Sequence, residues 1–95
     1  MMNFAQVTEK ISNRGYRRST SPYEFWDERN YRKVYDFNHK RKDDVFSVYL
    51  DEFNSVVYIE FTKVSFDHEA RRFTQQTTKI NNINELNKVL AHDLL

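Results

Sequence analysis

A chain of 95 residues with 39% hydrophobic and 16% aromatic content suits one domain with a single core, and its formal charge of +1 is too small to select a partner by bulk electrostatics. The absence of cysteine excludes disulfides, a thiol nucleophile and cysteine-based zinc sites. No run approaches the roughly 20 apolar residues of a membrane span and the opening MMNFAQVTEK has no apolar secretory core, so the expectation is a cytoplasmic protein with no membrane partner.

Asn3 can cap a first helix that sets Phe4, Val7 and Ile11 on one stripe and stops at Gly15, the chain's only glycine. Ser21, Pro22 and Glu24 carry the spacing of a capping box, which predicts a short helix over 22–29 with Trp26 and one of Tyr23 or Phe25 packed inward. Four stretches rich in β-branched and aromatic residues follow, 31–37, 45–51, 56–66 and 71–80. Their short polar turns imply antiparallel neighbours. Asn82 and Glu85 then open a C-terminal helix whose stripe is Ile83, Leu86, Leu90 and Leu94. The expected fold is a single α+β domain over 1–95, a four-stranded antiparallel meander with both terminal helices on one face.

Matching apolar faces across the turn EFNS pairs Leu50 with Val57, Val48 with Ile59 and Phe46 with Phe61, and assigns these six to the core. The same register turns Tyr49 and Tyr58 to the other face, flanked by Val45 and Val56, and the next hairpin adds Val64, Phe66 and Phe73. A solvated face should be mostly polar, as Ser47, Glu60 and Thr62 are. Three explanations stand open: a β-bulge near Thr62 or Lys63 that returns Val64 and Phe66 to the core, cover by the short helix bearing Trp26, or a contact surface for a partner or a second copy.

Catalytic patterns are thin. His39, His68 and His92 stand in turns or near a terminus, with no helical HExxH spacing. DHE at 67–69 offers three ligand types, but adjacent turn residues point in different directions and read as a solvated turn. One glycine cannot build a phosphate-binding loop, and the serines lack a recognisable elbow or base. The helix, Gly-Tyr and strand opening is distantly similar to the HicA ribonuclease toxins, but their Gly-Ser-His motif is absent after Tyr16. No catalytic residue, metal or cofactor is expected. For nucleic acid, the candidates for phosphate contact are Arg17, Arg18, Lys40, Arg41, Lys42, Arg71 and Arg72, with Tyr49, Tyr58 and Phe73 as stacking platforms.

Few glycines and prolines, many Asn, Lys, Phe and Tyr, and the ending TQQTTKINNINELNKVL make the whole chain resemble, in style, small accessory proteins of phages and mobile elements of low-GC Gram-positive bacteria. That resemblance implies a non-enzymatic inhibitor or anti-defence protein, anti-CRISPR proteins among them, that occupies a surface of a host protein or nucleoprotein complex in the bacterial cytosol. Partner-binding candidates are Tyr49, Tyr58, Val64, Phe66 and Phe73. A homodimer and a nucleic-acid partner are the alternatives.

Overall fold

Asn3 accepts the Gln6 N–H through its side chain at 3.2 Å and starts α1 (Phe4–Ser12). Val7 and Ile11 are its fully buried residues. The chain leaves the helix through Gly15 at φ +92°, a left-handed conformation, and a Cβ there would meet the His39 ring at 3.0 Å. The structure is a computed structural model and describes residues 2–19 and 21–92.

Among the described residues six strands follow in one antiparallel sheet: β1 (Tyr16–Arg18), β2 (Tyr23–Asp27), β3 (Asn30–His39), β4 (Val45–Leu50), β5 (Val56–Asp67) and β6 (Arg72–Ile80). The spatial order is β1-β3-β4-β5-β6, and β2 pairs with β3 beside β1, along the same edge. This corrects the expected count of four. It also replaces the expected helix over 22–29 with a strand.

The reason is tertiary. Beside β3, each residue of YEFWD finds a cross-strand partner: Tyr23 opposite Val34, Glu24 opposite Lys33, Trp26 opposite Tyr31, whose rings meet edge to face at 5.7 Å. A helix cap contributes only about 1 kcal/mol, and a helix of two turns carries the full cost of nucleation. Pro22, which lacks an N–H, falls between β1 and β2, where an edge ladder tolerates it. Trp26 is 68% exposed rather than packed inward.

The core lies between one sheet face and the two helices. Phe37, Phe46, Val48, Leu50, Ile59, Phe61 and Ile80 meet Val7 and Ile11 of α1 and Leu86 and Leu90 of α2 (Ile83–His92) in one buried cluster. Asn82 accepts the Glu85 N–H at 2.9 Å, and Glu85 reaches back to the Asn81 N–H at 2.7 Å, which fixes the start of α2. Leu94, placed on the stripe of this helix, lies outside the described residues.

The middle hairpin pairs Phe46 with Phe61, Val48 with Ile59 and Tyr49 with Tyr58, as the matched faces require. Beyond Tyr49 the register shifts, and Leu50 faces Val56 rather than Val57. The bulge therefore sits at Val56–Val57, not near Thr62 or Lys63. Val56 turns inward and is buried, also bridging to Met2, while Val57 is partly exposed. With no shift between Thr62 and Asp67, the strand keeps its alternation, and Val64 and Phe66 stay off the core face.

β5 and β6 run on past the end of β4 as a two-stranded arm. Its base is held by Asp44, 3% exposed, whose carboxylate accepts the Val64 N–H at 3.0 Å. Asp44 thus continues the ladder that β4 has ended. Asp44→Ala leaves that N–H without its acceptor and should cost about 1–3 kcal/mol. Asp44→Asn, which retains an acceptor oxygen, should cost less. Chemical denaturation of the two variants beside the parent checks this, and amide exchange at Val64 should quicken in the alanine variant.

Candidate interaction face

The second face of the sheet has neither helix on it. Strand pairing arranges it in rows. One row runs Tyr23, Val34, Tyr49, Tyr58 across β2, β3, β4 and β5. The next runs Asp36, Ser47, Glu60, Lys79, and the one after it Asn38, Val45, Thr62, Thr77. On the arm, Val64 faces Gln75 and Phe66 faces Phe73.

The tyrosine row is a packed cluster. Tyr49 and Tyr58 stack at 4.3 Å with 18° between their planes, Phe25 meets Tyr49 edge-on at 6.3 Å, and Tyr23 stacks on Phe25 at the same spacing. Lys79, from the other side of β5, sets its Nζ 4.5 Å from the centre of the Tyr58 ring. Val34 is fully buried although no helix covers it, and it stands outside the main core cluster. The tyrosines on either side of it form its roof. The sequence singled out Tyr49 and Tyr58 but missed Tyr23 and Phe25, because the capping box assigned them to a helix. The available signal was the concentration of Tyr23, Phe25 and Trp26, three residues that favour strands, in one five-residue stretch.

The hydroxyls are held protonated. Burial first, then the Glu60 carboxylate, raises the Tyr49 pKa strongly, with the neighbouring Tyr23 and Tyr58 adding to it. Burial is also the first cause of the upward shifts at Tyr23, where Asp36 adds to it, and at Tyr58, where Glu60 does. A tyrosine whose folded pKa lies above its unfolded value contributes stability in full below about pH 10 and loses it as pH rises through the folded pKa. Ultraviolet titration of the native protein should therefore show a late-ionising component, diminished in Tyr49→Phe, accompanied by a fall in melting temperature above pH 10.

The five residues expected to bind a partner share this face but form two patches. Tyr49 and Tyr58 belong to the cluster, both half-buried. Val64, Phe66 and Phe73 belong to the arm, where Phe66 and Phe73 are 43% and 66% exposed and pack edge to face at 5.1 Å. Two largely polar rows lie between. From Tyr58 to Phe66 is roughly 26 Å along β5 at about 3.3 Å per residue.

The basic residues are dispersed. Arg17 and Arg18 are successive residues of β1 and so point to opposite faces, and the Arg18 guanidinium lies over the Tyr35 ring at 5.2 Å. Lys40, Arg41 and Lys42 lie in the β3–β4 loop, where the Arg41 N–H donates to His39 Nδ1 at 3.0 Å. Arg71 (φ 54°) and Arg72, opposite Asp67, are at the tip of the arm. In the same turn Asp67 accepts the N–H groups of Glu69 and Ala70 at 3.0 and 3.2 Å, so this carboxylate of the DHE triplet organises the turn.

No protein-family model, no curated protein and no solved structure matches the chain. What the face can do is read from its own chemistry. It offers aromatic surface edged by polar groups, among them the Ser47 hydroxyl, which donates to Asp36 at 2.7 Å in a cross-strand pair.

Proposed function

We propose that the protein is a non-enzymatic binding protein that occupies a surface of a partner protein or nucleoprotein complex through its helix-free sheet face. The tyrosine cluster forms the centre of the contact, and Phe66 with Phe73 forms an outer anchor. The observation that carries this reading is the placement of both helices on one face, which leaves Tyr23, Phe25, Tyr49, Tyr58, Phe66 and Phe73 together on the other. A partner that reaches both patches spans roughly 25 Å, the scale of a protein interface rather than of a small ligand. Inhibition of host machinery, anti-CRISPR activity included, is the role such a surface would serve in a phage or mobile-element protein.

Nucleic-acid binding is the weaker reading. Stacking needs a free ring face, and the two faces of Tyr58 are occupied by Tyr49 and Lys79. A phosphate track needs neighbouring cations, whereas the basic residues stand on two faces, one loop and one distant tip. A pull-down from bacterial lysate with and without nuclease separates the readings. Capture of a defined protein that survives nuclease, and survives replacement of Lys40, Arg41 and Lys42 with Ser, supports the protein-surface reading. Capture lost on nuclease but kept by the loop variant identifies a nucleoprotein complex as the partner, and loss in the loop variant contradicts the reading.

A further inference from the structure

The outer edge of β6 carries an inference independent of the face. β6 is nine residues long, is the last strand of the sheet, and pairs with β5 without a register shift. It has no proline, no glycine and no bulge, and no charge between Arg72 and Lys79. Soluble proteins ordinarily blunt an exposed edge with one of these devices, because its unpaired N–H and C=O groups invite another strand.

The direction of those groups follows from Asp44. Val64 donates its N–H to Asp44, on the β4 side of β5, and so away from β6. In an antiparallel ladder, residues directly opposite either exchange both hydrogen bonds or neither. Gln75, opposite Val64, therefore turns its N–H and C=O outward, and so do Phe73, Thr77 and Lys79, which alternate with it.

We infer that β6 is a self-association edge that pairs antiparallel with β6 of a second copy, about a two-fold axis perpendicular to the sheet at Gln76. Full-length overlap puts Arg72 opposite the partner's Ile80, Phe73 opposite the partner's Lys79, Thr74 opposite the partner's Thr78, and Gln75 opposite the partner's Thr77. Each outward-facing residue then meets another outward-facing residue, and no like charges stand opposite. Sliding the strands by one residue pair to bring Gln75 onto its own copy sets Arg71 against the partner's Lys79 and shortens the ladder. The uncharged run Thr74–Thr78, self-complementary about the axis, is what selects a second copy as the occupant. The dimer joins two sheets into one and places the two helix-free faces on the same side.

Gln76 sits on the axis as a non-hydrogen-bonded pair, with Cα atoms about 4.5 Å apart, within disulfide reach. In a chain without cysteine, Gln76→Cys should form a disulfide dimer under mild oxidation at micromolar concentration, and Gln75→Cys should not. Light scattering of the parent should give twice 11.6 kDa. Gln75→Pro removes an outward N–H that β5 does not use, and should weaken association at least a hundredfold with circular dichroism unchanged. Should that variant misfold, Gln76→Lys and Gln76→Glu provide the test: each alone monomeric, their mixture dimeric. A parent that remains monomeric at all concentrations, an edge that pairs only with a different protein, or a dimer indifferent to these changes with no Gln76 cross-link would overturn the inference.

Discussion

Phe46→Ala should destabilise the protein by about 3–5 kcal/mol, a large share of the roughly 5–15 kcal/mol that a domain of this kind has in total. The ring is fully buried, edge to face with Tyr16 at 4.8 Å and tilted against Phe61 at 4.5 Å. It faces Phe37 on one side and Phe61 on the other in the ladder, so three strands lose a shared contact. Neighbouring strands are hydrogen-bonded at fixed spacing and cannot close on the void, which is why the cost belongs at the upper end for core truncations. Phe46→Leu should recover much of the loss. Denaturant midpoints of the two variants check this. A loss below about 1 kcal/mol in Phe46→Ala would mean that the sheet and helices are not packed as described.

Tyr58→Ala should weaken partner binding thirtyfold or more, about 2 kcal/mol, the scale of an aromatic hot spot. Its ring is stacked on Tyr49 and capped by Lys79, so truncation removes contact area and also takes away the support of Tyr49, the cross-strand neighbour of Val34. A melt beside the binding measurement separates the two effects. Tyr58→Phe, which keeps the ring, should bind within a few fold of the parent. Replacing Lys40, Arg41 and Lys42 with Ser should change binding little, and the salt dependence should be shallow, without the steep slope of phosphate contacts.

Much of this architecture is legible in the sequence, and the misreadings have physical causes. The two terminal helices are set by local chemistry, Asn3 and Asn82 with their stripes, and local chemistry is what a sequence displays. The core pairs Val48 with Ile59 and Phe46 with Phe61 follow from alternation. Leu50 with Val57 failed because one inserted residue at a strand end leaves the pattern looking intact. The segment 23–27 failed for a different reason: its capping box is a local signal, and the pairing with β3 that overrides it is made with residues as close in sequence as Asn30 but only once the sheet exists. For the candidate site, Tyr49, Tyr58, Val64, Phe66 and Phe73 were placed on the correct face, since period-2 alternation decides it. Their division into two patches follows from Glu60 and Thr62 between Tyr58 and Val64, whereas the two-stranded arm was hidden, because it depends on how far β5 outruns β4.

The most direct test of the helix-free face as the contact surface is side-chain footprinting of the protein alone and with its captured partner. Tyr23, Phe25, Tyr58, Phe66 and Phe73 should lose reactivity on binding, while Trp26, Phe53 and the loop residues Lys40 to Lys42 keep theirs. Protection of the loop and of Arg17, with the aromatic residues of the sheet unchanged, would contradict it.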